Sequence, residues 1–285
     1  MTTASISQKV FKTGRLSDEK FPLSDRKLHL SVEIREHELL ACLLDKYANS
    51  YLALEAIALT TNENLTLLLK QNEILSSKTA SVSIVFTANN SILVPAPFFK
   101  KESVNDYLKF QQLDKENEIA CYDYIKNLDS YNLYTFSKDT LIQLQKQYPN
   151  AAFRHHSSIF IEFLLVENKH TEDDKIFVSV FGSYMDVVVI KAGKLTLYNR
   201  FYYTNSADFI YYLLWVYEQM KLDTEKAPCI FYGEIEKSSE EYSIATKYIK
   251  AILLGEKSKQ SDYSAALSIL PQHKYRSLFT QYLCV

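Results

Sequence analysis

Residues 175–204 read KIFVSVFGSYMDVVVIKAGKLTLYNRFYYT, three short strands joined by two tight turns. Ile176, Val178 and Val180 alternate with Phe177, Ser179 and Phe181. A period of two marks a strand, because successive side chains point to opposite faces of a sheet. Gly182-Ser183 makes the first turn, Val187–Ile190 the second strand, Ala192-Gly193 the second turn and Leu195–Tyr203 the third strand. A looser copy stands near the start of the chain. Leu28, Leu30, Val32 and Ile34 alternate with His29, Ser31 and Glu33, and a polar break follows at Arg35–Glu38. Leu39–Leu44 is a continuous apolar run, and Tyr51–Leu59 is a weaker third strand. Two meanders of one kind point to a duplicated unit.

Composition bounds what such a unit can do. With 47% apolar and 23% charged residues over 285 positions, the chain can bury one large core or two ordinary ones. A net charge of −2 gives no general pull toward nucleic acid. Tyr (21) and Phe (16) are abundant, so aromatic packing is heavy. Gly occurs 5 times, against about 20 at an ordinary usage of about 7%. That scarcity matters, because glycine lets a backbone approach a phosphate closely. Cys42, Cys121, Cys229 and Cys284 form no CxxC pair, so neither a zinc site nor a redox motif is expected and a reducing cytoplasm fits. The opening MTTASISQKVFKTGR lacks the apolar centre of a signal peptide, and Phe209–Tyr217 is too short to span a bilayer.

Along the chain, residues 1–27 are polar and unpatterned, an arm. Residues 28–170 form a first unit with inserted strands and a helix. Residues 171–285 form a second unit, after the charged linker Asn168–Asp174. Within the first unit we expect a helix in Asn62–Gln71 and a hairpin of Val82–Phe86 with Ile92–Val94 about Ala88–Asn90. A helix from Ser103 to about Asp114 and a strand pair Glu118–Lys126 with Tyr131–Phe136 follow. Ser137 caps the next helix, and the unit ends with a short strand Ala151–His155 and a helix Ser157–Glu167. In the second unit a helix starts at Ser206 with Asp208 at its positive end. A strand Cys229–Tyr232 stops at Gly233. Ser238 and Glu241 read as the capping box of a helix with Tyr242, Ala245, Ile249, Ile252 and Leu253 inside and Gly255 at its end. Ala265–Leu270 and Ser277–Leu283 are expected to be closing strands.

Three strands, helix, strand, helix, strand is the order of the ribonuclease H-like unit, and two such units in tandem resemble the actin-like ATPase fold of actin, sugar kinases, heat-shock chaperones and bacterial pilus-assembly proteins. The resemblance covers about residues 28–285. It rests on LSVEI at Leu30–Ile34, FVSVFG at Phe177–Gly182, GKLTLYNRFY at Gly193–Tyr202 and CIFYGEI at Cys229–Ile235. More narrowly, the chain resembles a family of uncharacterised bacterial proteins with a degenerate actin-like fold.

The resemblance implies three devices where ATP is used: an acid and a Gly-containing turn after the first strand, a repeat of both in the second unit, and a Gly-Gly pair against adenosine. Bare backbone N–H groups would cradle phosphate and carboxylates would hold Mg²⁺ through water. The positions implied for a nucleotide between the halves are Glu33, Gly182, Asp186 and Gly233. Each device is incomplete. The turn after Glu33 is Arg35-Glu36-His37-Glu38, without Gly. Gly182 has no acid in FVSVFGS, Asp186 being the nearest. Gly233 is followed by Glu234. Side chains block close approach to phosphate, and Glu36, Glu38 and Glu234 would repel it.

Other chemistry is thin. His155-His156 is the one tempting pair for metal or catalysis, but it lacks partners at ligand spacing and reads as a strand end near the surface. Glu33 with Asp186 could pair acids across the halves, as metal-assisted phosphoryl transfer would want. The run FYYTNSADFIYYLLWVY could stack single-stranded RNA, yet only Arg200 is close enough to supply charge. No catalytic residue and no metal ligand is expected. The expectation is a non-catalytic, cytoplasmic protein of actin-like fold acting through protein contacts. The alternatives are a divergent ATP-binding relative with Mg-ATP and an RNA-associated factor.

Overall fold

The computed structural model describes residues 14–18, 26–59, 65–87, 90–110, 116–256 and 261–284. In chain order the first elements are β1 (Gly14–Ser17), β2 (Leu28–Ile34), β3 (Glu38–Asp45), β4 (Ser50–Ala58), α1 (Leu65–Gln71), β5 (Ser81–Phe86) and β6 (Ser91–Pro95). Then come α2 (Val104–Phe110), β7 (Glu118–Ile125), β8 (Ser130–Ser137), α3 (Lys138–Gln147), β9 (Ala152–His155) and α4 (His156–Glu167). The second run is β10 (Lys175–Phe181), β11 (Tyr184–Lys191), β12 (Lys194–Tyr202), α5 (Ser206–Gln219), β13 (Cys229–Gly233), α6 (Glu240–Ala245) and β14 (Ile252–Leu254). Last are β15 (Asp262–Tyr263), α7 (Ala265–Ser268) and α8 (Arg276–Thr280).

Two mixed sheets share one topology. The first runs β1-β4-β3-β2-β5-β9 with β15 beside β4, and the second runs β12-β11-β10-β13-β14. In both, an antiparallel meander of three strands continues into two parallel strands. This is the tandem arrangement expected from the two meanders. The inserted strands form a separate sheet, β6-β8-β7.

The central strands read as apolar runs because both faces are covered. On one face β2–β5 pack against α1 and α3, through Leu69 and Leu144, while β10–β13 pack against α5 and α6. On the other face the units exchange helices. Helix α4, from the first half, lays Phe160, Ile161 and Leu164 on Phe177, Val188 and Ile230 of the second sheet. Helix α8, from the end of the chain, lays Leu278 and Phe279 on Leu40, Cys42 and Leu44 of the first.

Several expectations need correction. The hairpin about Ala88–Asn90 does not form: β5 pairs with β2 and β9, and β6 pairs with β8 in the inserted sheet, with Ala88 and Asn89 outside the described residues. Within the region read as an unpatterned arm, Gly14–Ser17 forms a strand that pairs antiparallel with β4. The helix expected to run to Gly255 stops at Ala245, and Ile252–Leu254 is instead the closing parallel strand. Ile249, Ile252 and Leu253 suit a helix face or a strand equally, and pairing with Cys229–Phe231 decides. Gly255 serves close approach and not a helix stop, since a Cβ there would lie 2.0 Å from the Tyr232 ring. The cap of α6 is Ser239, which accepts from the Tyr242 N–H, and not Ser238. Ala265–Ser268 and Arg276–Thr280 are helices and not strands.

Candidate functional site

The candidate site lies where β2, β10, β11 and β13 bring their ends to the seam between the sheets. A cleft of about 350 Å³ opens there, lined by the Arg35–Glu38 turn, Thr87, Phe181–Tyr184, Tyr202 and Glu234. A volume of that size is in the range of small-ligand pockets. All four implied nucleotide positions lie in or beside this region, and each is engaged by neighbouring groups.

Glu33 and Asp186 are both 0% exposed, and each is held by an arginine. Arg35 Nε donates to Glu33 Oε1 at 2.7 Å. One further nitrogen of the same guanidinium, Nη1, donates to Glu234 Oε1 at 2.8 Å and to Glu38 Oε2 at 3.4 Å. Asp186 receives Arg200 through two bonds, Nε to Oδ1 at 2.6 Å and Nη2 to Oδ2 at 2.8 Å. This fork-on-carboxylate geometry is the strong form of the pair. Arg200 also lies 4.1 Å from the Tyr184 ring centre and donates through Nη1 to the Thr87 carbonyl at 3.1 Å. The Tyr184 hydroxyl donates to that same carbonyl at 2.8 Å.

The N–H groups of the two glycines are also committed. The Gly182 N–H donates to Glu234 Oε2 at 3.2 Å, so this N–H is already taken by a carboxylate. Gly233 keeps φ at +81°, and its N–H donates to the His273 carbonyl at 3.0 Å. A Cβ at Gly233 would lie 2.2 Å from the Val180 carbonyl oxygen, so this glycine serves strand packing. The residues present fit a Mg-nucleotide poorly: each acid is paired with an arginine, with Glu33 Oε2 left unpartnered, and the Gly182 and Gly233 N–H groups are taken.

Electrostatics agree with the geometry. Burial opposes the charge of Arg35, and Glu33, Glu234 and Glu38 more than offset it, holding the guanidinium above its ordinary range. Arg200 is likewise raised, burial being outweighed by Asp186. Burial pushes the Glu38 carboxyl up, against the pull of Arg35 and with the repulsion of Glu234. Breaking one partner of such a pair strands a buried charge, which is costly.

His155 and His156 are both buried, which corrects their reading as a strand end near the surface. His155 Nδ1 caps α4 by accepting from the Ser157 N–H at 3.2 Å. Asp123 of β7 receives the His155 N–H at 2.7 Å and the Ser158 hydroxyl at 2.5 Å. Burial lowers the His156 pKa to about 3. The pair is thus part of the buried start of α4, and among the described residues no group of three or more His, Cys, Asp or Glu is arranged to hold a metal. Of the Tyr-rich run, Phe201, Tyr203, Phe209 and Tyr217 are core, while Tyr202, Tyr211 and Trp215 are exposed.

Sequence reading places Arg35 only in a polar turn and Arg200 only beside the Tyr-rich run, and misses their pairing with Glu33 and Asp186. A signal for Arg200 existed in the hairpin, but the plain register from Lys191↔Lys194 sets Asp186 opposite Asn199. A bulge between Val189 and Ile190 shifts the ladder and brings Arg200 into register with Asp186.

Comparison with known proteins follows this geometry. A profile described as "Protein of unknown function (DUF3822)" matches residues 18–252. The chain belongs to this family. No curated protein sequence matches it. Among solved structures it is similar to a Bacteroides thetaiotaomicron VPI-5482 protein with actin-like ATPase fold and unknown function, with TM-score 0.73, 22% identity, and 81% of this chain and 91% of that chain covered. It is also similar to a chain of the PilM–PilN type IV pilus biogenesis complex, with TM-score 0.55, 9% identity, and 89% and 97% covered. These likenesses establish the actin-like fold of this DUF3822 protein. No described helix is long and apolar enough to cross a membrane.

Proposed function

We propose that this DUF3822 protein is a non-catalytic member of the actin-like group, a pseudo-ATPase that works in the cytoplasm through protein–protein contacts. One observation carries the reading. The acids of the inter-unit site are buried in pairs with arginines that also join the two halves. Arg35 of the first unit bonds Glu234 of the second, and Arg200 of the second bonds the Thr87 carbonyl of the first. The framework that closes on a nucleotide elsewhere is here pinned by its own side chains.

Two further facts support contacts as the working mode. Exposed aromatics stand on two surfaces, Phe98, Tyr122 and Tyr124 around the inserted sheet and Tyr211 with Trp215 on α5. The PilM-type neighbour, at 9% identity, is a protein seen in complex. The cytoplasmic placement rests on Cys42, Cys121 and Cys229, which are free thiols.

Thermal melting with and without Mg-ATP tests the reading. A ligand at 100 times its Kd stabilises the folded state by about 2.7 kcal/mol. We expect superimposable melts at millimolar Mg-ATP. A clear upward shift that Glu33→Gln abolishes would overturn the proposal in favour of a divergent ATP-binding protein.

A further inference from the structure

The open cleft holds a row of three aromatic rings. Phe181 is buried, Tyr184 is half-buried and Tyr202 is 53% exposed. The Phe181 and Tyr184 ring centres lie 5.1 Å apart, and those of Tyr184 and Tyr202 lie 5.8 Å apart, so the row runs from the seam outward. The Tyr202 hydroxyl donates to Asn90 Oδ1 at 3.0 Å, which anchors the outermost ring. Each of the two inner rings carries an arginine that a carboxylate also holds. The Arg35 guanidinium stands 5.5 Å from the Phe181 ring centre and bonds Glu33 and Glu234. The Arg200 guanidinium stands 4.1 Å from the Tyr184 ring centre and forks onto Asp186. The third ring, Tyr202, shares the cleft with Glu36, Glu38 and Glu234, yet among the described residues no cation lies over it. The ring and the carboxylates are repeated, and the arginine is not.

Charge balance points the same way. Glu33, Glu38 and Glu234 share Arg35, and Lys274 acts on Glu38 from beyond ion-pair distance. Asp186 and Arg200 balance each other. Glu36 pairs with no lysine or arginine among the described residues, its neighbour being His37 at 3.7 Å. With His37 neutral, four carboxylates face two cations and an excess of two negative charges is left. Glu33 Oε2, buried without a partner, is one sign that Arg35 is shared too thinly. A metal ion does not fit this excess, since among the described residues no group of three or more His, Cys, Asp or Glu is arranged to hold one. An arginine does. Its flat guanidinium stacks on an aromatic face while it forks onto a carboxylate, which a lysine ammonium cannot do. The cleft, at about 350 Å³, has room for such a side chain.

We propose that the cleft receives an arginine side chain from a partner protein, with its guanidinium on the exposed Tyr202 ring and paired with Glu36, and with Glu38 and Glu234 behind it. This inference rests on the reading of the protein as one that works through protein contacts, and it gives one such contact a place and a chemistry.

The test is an NMR titration of the isotope-labelled full chain with a blocked glycine–arginine–glycine peptide, and with the same peptide carrying citrulline, which keeps the shape of the side chain and lacks its charge. Saturable shifts at Gly182, Ser183 and Tyr202 with the arginine peptide, and none with the citrulline peptide, are the expected result. Tyr202→Leu should weaken binding about threefold, and Glu36→Gln about twofold. Both side chains are exposed, so neither change touches the core. Equal shifts from the two peptides, or none from either, would overturn the proposal. Binding of agmatine, a free guanidine, without binding of the arginine peptide would also overturn it, by assigning the cleft to a small solute. Failure here is distinct from failure of the reading beneath it. No peptide binding with superimposable Mg-ATP melts removes this site alone, whereas a melt shift that Glu33→Gln abolishes removes the pseudo-ATPase reading.

Discussion

The two buried carboxylates of the seam repeat one device in two different forms. In the first unit, Glu33 shares Arg35 with Glu38 and Glu234, so one cation serves three anions and reaches across to the second unit. In the second unit, Asp186 takes a two-pronged pair from Arg200, backed by the Tyr184 ring. Both arginines contribute a bond to the opposite unit. The two units share one topology, and the polar centre between them is a set of cross-unit ties.

The sharpest way to break this comparison is to remove each arginine. Truncating one partner of a buried pair costs about 3–5 kcal/mol. Arg35→Met should fall at the upper end, because it strands Glu33 and leaves Glu38 and Glu234 repelling each other. Arg200→Met should fall at the lower end, because it strands Asp186 alone. Chemical denaturation of both variants checks the order; equal or reversed losses would show that the three-anion cluster is not special.

The two glycines of the seam sharpen it further. Gly233→Ala meets both a positive φ and a backbone oxygen, and should lose about 2–3 kcal/mol. Gly182→Ala has nothing within 4 Å of the new Cβ, and only its φ of +35° is strained, so about 1 kcal/mol is expected. Urea midpoints of the two variants separate packing from conformational preference.

A smaller effect is set by pH. His156 and His29 are buried neutral, burial lowering them to about 3 and about 4, with Lys46 adding to the shift at His29. The unfolded chain takes up these protons near 6.5 and the folded chain does not, so stability is full above pH 6.5 and falls as pH drops below it. Each histidine contributes a slope of up to about 1.4 kcal/mol per pH unit. The carboxyls raised by burial, Glu38, Asp123 and Glu167, act with the opposite sign near their own range. The clean window is therefore about pH 6.5 to 5. Melts across it should steepen in the native chain and flatten in His156→Phe.

The meanders could be read from sequence because period-two alternation and the Gly182-Ser183 and Ala192-Gly193 turns are local signals. The acids Glu33 and Asp186 could be read for the same reason, as strand-end residues. Their partners could not. Arg35 follows Glu33 by two residues but reads as turn polarity, and Arg200 meets Asp186 only through a bulge that no local pattern announces. The exchange of helices left one usable trace. Helix α4 buries nine side chains around its circumference, and a helix apolar all round is one covered on all sides. The last forty residues misled because short apolar pieces such as Ala265–Leu270 carry no period long enough to separate strand from helix.

The most direct test of the central claim is a double-mutant cycle on Asp186 and Arg200. If the carboxylate is there for the arginine, Asp186→Asn and Arg200→Met should each be costly alone. The pair together should lose far less than the sum, with a coupling of about 3 kcal/mol. Additive losses, with coupling below about 0.5 kcal/mol, would mean that Asp186 is kept for something other than Arg200, and the account of a pinned seam would fail.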